Sequence, residues 1–180
     1  MKIKYSISAL VLSAIVFSSS CKKTLNDISF SKEYTNTEFV LDTTSMVGVF
    51  EIGSFSANTD ILSTLEADGF TINNLKNVTL TKATVSNVNN SQNLNYFRSL
   101  QIRTSNSLGA DEVTFADIQL PEETTQTSVD LISKGVELKE IFKDSQIQFS
   151  LNAETDLPIL PNSVPLKVTL TFQVNAALGN

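Results

Sequence analysis

The chain has 180 residues, 41% of them apolar and 18% charged, with 13 basic side chains against 19 acidic ones and a net charge of −6. It holds no histidine, no tryptophan and one cysteine, which removes most nucleophilic triads, the usual zinc sites and any intrachain disulfide. The acidic balance, with no basic stripe, repels phosphate backbones and disfavours a nucleic-acid partner.

Lys2 and Lys4 open the chain, an apolar stretch runs from Ile7 to Phe17, and Ser18, Ser19 and Ser20 lead to Cys21. A basic flank, a short apolar core and a small-residue cleavage region are the plan of a secretory signal peptide. The apolar run is well short of the ~20 residues that span a bilayer as a helix. With Cys21 at the cleavage point behind Ser19 and Ser20, the segment resembles the lipobox of bacterial lipoproteins; it departs at Ser18, where that family usually has Leu. The resemblance implies cleavage before Cys21, diacylation of its thiol and acylation of the new N-terminus. Residues 1–20 are then a signal peptide, 21–26 a lipidated tether and 27–180 the domain. Lys22 and Lys23 follow the cysteine in place of Asp or an acidic run. By the same resemblance this implies an outer-membrane protein facing the periplasm, its membrane partner reached through the lipid anchor. Each buried CH₂ contributes about 0.8 kcal/mol, so two or three acyl chains hold a domain durably. Without residues 1–20, 11 basic residues against 19 acidic ones leave −8.

Beyond the tether, strand patterns dominate. "DISFSKEY" alternates through Ile28 and Phe30, and "EFVLD" places Phe39 and Leu41 on one face. "VGVFEIGSF" is a denser run through Val47, Val49, Phe50, Ile52 and Phe55, predicting a strand buried on both faces or bulged near Gly53. In "ANTDILSTLEADGF", Asn58 or Thr59 can cap a short helix that shares Ile61, Leu62 and Leu65 on one face and stops at Gly69. "LKNVTLTKATVSNV" moves its apolar set from Val78 and Leu80 to Ala83 and Val85, which predicts a bulge near Lys82. "NYFRSLQIRTSN" gives a turn at Tyr96 and Phe97, then a strand with Leu100 and Ile102 inward and Arg103 outward. "EVTFADIQLP" and "TTQTSVDLI" read as a pair of strands around Pro121 to Thr124. "VELKEIFKD" carries Leu138, Ile141 and Phe142 at helical spacing over a turn and a half. Two strands follow, one through Ile147, Phe149, Leu151 and Ala153, the other through Leu166, Val168, Leu170, Phe172 and Val174, joined by a proline-punctuated connection.

Strands at such spacing, with turn signals between them, predict an all-β fold: an antiparallel sandwich of eight or nine strands with one or two short helical turns. From Leu75 onward the succession of strand, "NYFRSLQI", strand pair, "ELKEIFKD" and two long closing strands resembles immunoglobulin-like lipoprotein domains. It is also similar, more faintly, to the β-sandwich domains of water-stress and late-embryogenesis proteins. Neither resemblance brings an activity or a cofactor.

Candidate chemistry is sparse. Asp111, Glu112, Glu122, Glu123, Glu154 and Asp156 hold the side-chain types for carboxylate hydrolysis or a loop Ca²⁺, yet they fall in loops and strand ends, where solvated acids are ordinary. Ser29 and Lys32 have Ser-x-x-Lys spacing without the partner motifs of penicillin-binding enzymes. "DTT" resembles a short O-glycosylation acceptor signature, with Thr43 as acceptor. Tyr34, Tyr96, Phe97 and Arg98 are interface residue types, Phe97 the one best suited to a core. No catalytic, cofactor or metal residue is assigned; Cys21 is assigned to lipidation. The expectation is a non-catalytic accessory subunit that binds an envelope protein, with a glycan- or lipid-binding module as the alternative and a carboxylate-based hydrolase a distant third.

Overall fold

The computed structural model describes residues 27–41, 47–88, 92–106, 112–155 and 163–178. Cys21, Thr43, Asp111 and Asp156 lie outside them, as does the side chain of Glu38.

Nine strands are described: β1 (Asp27–Leu41), β2 (Gly48–Asn58), β3 (Leu75–Asn87), β4 (Ser99–Asn106), β5 (Val113–Gln119), β6 (Ser128–Asp130), β7 (Ile132–Ser133), β8 (Gln146–Thr155) and β9 (Val164–Ala177). One helix, α1 (Ile61–Ala67), and two 3-10 turns, Ile72–Asn74 and Ile141–Lys143, complete the order. The strands form a four-stranded sheet, β1-β9-β3-β6, and a five-stranded sheet, β2-β8-β4-β5-β7, with every pairing antiparallel. The fold is an all-β sandwich. Four pairs nest inside one another: β1 with β9, β2 with β8, β3 with β6, and β4 with β5. Two further pairings, β3 with β9 and β4 with β8, roll that nest into two sheets. This strand order is a jelly roll. The immunoglobulin-like resemblance therefore holds for a two-sheet antiparallel sandwich and not for the order within it.

Alternation does the sorting. In β9 every second residue from Val164 to Ala176 is buried, so one face packs inward and Lys167, Thr169, Thr171, Gln173 and Asn175 face outward. Between the sheets lies an aromatic cluster, with Phe172 4.9 Å from Phe142 and stacked 5.9 Å from Phe149 between ring centroids. Such pairs contribute roughly 0.5–1.5 kcal/mol beyond their area.

Of the two readings of the β2 run, the bulged one is present, as a register shift between Glu51 and Gly53, and the bulge predicted near Lys82 is present between Leu80 and Lys82. The first reverses the burial pattern of β2, so Val49 stays out while Phe50, Ile52 and Phe55 pack inward. Val47, just before that strand, is also exposed. Phe39 lies against Gly53, where an added Cβ would stand 3.1 Å from its ring. Close approach is what that glycine supplies.

Four expectations are corrected. The alternations around Phe30 and Phe39 belong to one strand, β1, with a register shift between Asn36 and Phe39. The supposed pair around Pro121 is no hairpin: β5 pairs with β4 and β7, whereas β6 crosses to β3. Leu131 turns inward between β6 and β7 and donates its N–H to the Ala83 carbonyl at 2.8 Å, which carries the chain from one sheet to the other. α1 is entered through Asp60, and Thr59 Oγ1 instead donates to the Asp144 carbonyl at 2.8 Å. Leu62 is exposed, so the helix buries Ile61 and Leu65 alone.

Candidate functional site

The sandwich has two ends. The start of β1 pairs with the end of β9 at Asp27–Ala177, and α1 and both 3-10 turns lie at that same end, beyond Asn58 and before Gln146. The connections β1–β2, β3–β4, β5–β6 and β8–β9 leave from the other end.

On the outer face of the five-stranded sheet, β4 and β8 present a polar field. Register sets Gln101 beside Asn152, Arg103 beside Ser150 and Ser105 beside Gln148, while β2 brings Glu51 and Ser54 against Asn152 and Ser150. Within this field a depression of about 210 Å³ is lined by Glu51, Ser105, Glu112, Gln148 and Ser150. The Arg103 guanidinium holds Glu112 at 2.8 Å, and Ser150 Oγ donates to the other oxygen of that carboxylate at 3.4 Å. Gln148 Nε2 donates to Ser54 Oγ at 3.1 Å, which fixes the amide across two strands. Ser105 and Ser150 are 7% and 8% exposed, so the floor is polar and more than nine-tenths covered. The Ser105 hydroxyl has no hydrogen-bond partner among the described residues. A built polar floor with one spare hydroxyl suits binding of a small polar group.

The acids named from sequence do not converge. Glu112 sits in the depression, at the start of β5. Glu154 accepts from Ser99 Oγ at 3.1 Å near the opposite end of β8, and Glu122 pairs with Arg98 at 3.5 Å there, largely in solvent. Glu123 is exposed. Ser29 and Lys32 share β1 but face opposite ways: Ser29 accepts from Gln173 Nε2 on the outer face, and Lys32 pairs with Asp60 at 3.0 Å. They make no dyad. Tyr34 and Phe97 are buried in the core, so neither forms a surface. Among the described residues no group of three acids or thiols could hold a metal ion.

Sequence reasoning found Glu112 and passed over Glu51, Ser105, Gln148 and Ser150. For Ser105, Gln148 and Ser150 the only signal was a run of short or amide side chains at outward positions of "QIRTSN" and "SQIQFSLN", a pattern shared with any wet sheet face, and Glu51 was a lone acid in the apolar run "VGVFEIGSF".

No family model matches the chain, and no curated protein matches it. Among solved structures, a chain of desmodium yellow mottle tymovirus is 13% identical with a TM-score of 0.28, over 100% of this chain and 97% of that one. A score so low bears on neither fold nor function.

Proposed function

We propose that this chain is a lipid-anchored outer-membrane protein facing the periplasm, a non-catalytic binding subunit of an envelope assembly. Its recognition surface is the polar face of the five-stranded sheet. The observation that carries the anchoring is the chain's one cysteine, Cys21, set directly behind the apolar run Ile7 to Phe17 and Ser18, Ser19 and Ser20. Asp27 is already paired with Ala177, six residues beyond Cys21. A tether of that length reaches at most about 20 Å, which keeps the α1 end of the sandwich near the bilayer.

The face is favoured over strand addition at an edge. Both long free edges, β1 and β2, carry register shifts at their middles, at Asn36/Phe39 and Glu51/Gly53. Bulges twist an edge away from an incoming strand. A second reading, an apolar contact at the end away from α1, draws on the exposed Val40, Val47 and Val49 beside the β1–β2 connection.

The test is palmitate labelling and fractionation of the full-length protein beside Cys21→Ser, with photo-crosslinkers placed singly at Gln148, Thr35 and Val49. The proposal expects label and membrane recovery to be lost in Cys21→Ser, and an adduct from Gln148. Unchanged membrane recovery of Cys21→Ser sinks the anchor. An adduct from Thr35 or Val49 alone moves the surface to the edge or the valine-bearing end.

A further inference from the structure

The depression lined by Glu51, Ser105, Glu112, Gln148 and Ser150 selects a ligand class by its balance of donors, acceptors and charge. Glu51 makes no ion pair among the described residues. Glu112 keeps lone pairs beyond those used by Arg103 and Ser150, since a carboxylate accepts about four hydrogen bonds. Gln148 spends one of its two amide N–H groups on Ser54 and keeps the other, together with its carbonyl oxygen. Acceptors therefore outnumber donors. The donors to spare are that second N–H and the hydroxyl of Ser105, a residue 7% exposed whose hydroxyl makes no hydrogen bond among the described residues and can both give and take one.

An anion is refused here: the adjacent cation, Arg103, is already committed to Glu112, and Glu51 adds a like charge. A metal ion would find only two carboxylates here, and no group of three His, Cys, Asp or Glu side chains gathers among the described residues. A lone ammonium group would meet Glu51 in solvent, where such pairs contribute little, and would leave Ser105 without an acceptor use for its proton. Hydroxyl groups satisfy every member at once. Each donates to a carboxylate or to the Gln148 carbonyl, and one accepts from Ser105.

We infer that this depression binds a neutral saccharide, one sugar ring seated on Ser105 and Ser150 with its hydroxyls on Glu51, Glu112 and Gln148. The inference rests on the reading of this face as the recognition surface. No aromatic side chain lines the depression, so no ring stacks on the sugar and the dissociation constant is expected on the order of 1 mM.

The test is NMR titration of the full-length ¹⁵N-labelled protein in detergent micelles with maltotriose, triacetylchitotriose, spermidine and Ca²⁺. One of the two trisaccharides is expected to shift the amide signals of Ser105, Gln148 and Ser150. Ser105→Ala is expected to weaken that binding about tenfold, the share of one hydrogen bond, with an unchanged thermal unfolding curve. If neither trisaccharide shifts those signals, or spermidine or Ca²⁺ shifts them instead, the saccharide assignment falls while the surface stands or falls on the Gln148 crosslink. Trisaccharide shifts confined to other faces overturn the assignment in the same way and leave the surface to the crosslink. A Ser105→Ala protein that keeps its melting curve and binds undiminished overturns the assignment as well.

Discussion

Tyr34 places a phenol among Phe142, Phe149 and Phe172, with ring centroids 6.2, 5.5 and 5.9 Å away, and its hydroxyl donates to the Thr59 carbonyl at 3.2 Å. Burial, with Asp60 nearby, raises the phenol's pKa well above its ordinary value of 10.0. The folded protein thus binds this proton more tightly than the unfolded chain. The stability linked to it is complete below the unfolded pKa near 10 and is lost as pH rises beyond it. Denaturant midpoints at neutral and strongly alkaline pH test this: the native protein should lose more stability on alkalinisation than Tyr34→Phe does. The same substitution should lower stability at neutral pH by about 1 kcal/mol, one buried hydrogen bond. That Phe97 belongs to the core was legible from its place in "NYFRSL". That Tyr34 does too was not, because a tyrosine in a strand of alternating polarity fits either a wet or a dry face.

Element boundaries were legible wherever a residue's own backbone preference decided them. Gly69 ends α1 at φ +81°, donating its N–H to the Glu66 carbonyl at 3.0 Å, while Phe70 donates to Leu65 at 2.9 Å. Phe70 and Leu65 are both buried, so the two bonds and the apolar contact make a Schellman stop. Gly69→Ala puts a Cβ on a left-handed residue and should cost about 1 kcal/mol, read as a lower urea midpoint with an unchanged slope. The bulge near Lys82 was legible because the apolar set changed parity, and a sheet face has no other way to keep Val78 and Val85 both inside. The start of α1 was not legible. Asn58, Thr59 and Asp60 all qualify as caps by type, and Thr59 is withdrawn by its bond to Asp144, 85 residues away.

At the scale of the molecule, the first strand lies beside the last, and β9 sits between β1 and β3 in the four-stranded sheet. The nest closes only when β1 and β9 meet, a topology of distant contacts that folds slowly. Stopped-flow refolding should therefore run on the millisecond-to-second scale or slower. A chain ending before Val164 should show no cooperative urea transition, since losing β9 leaves β1 unpaired and uncovers Tyr34, Phe142 and Phe149. A cooperative transition in that fragment would place the folding unit in the five-stranded sheet alone.

What the residues dictated alone is what neighbours in the chain decide: an all-β architecture, the inward set of β4, β8 and β9, the bulge near Lys82, and the glycine that halts α1. The tertiary structure alone decided which strands pair. β5 buries Phe115 and Ala116 side by side and β6 has three residues, so neither carries an alternation that names its partner; in the order observed, Phe149 stacks on Phe172 and Phe39 lies against Gly53. The polar depression belongs to that second kind. Glu51, Ser105, Glu112 and Gln148 come from four places in the chain, and none is distinctive until the register of β2, β8 and β4 sets them side by side.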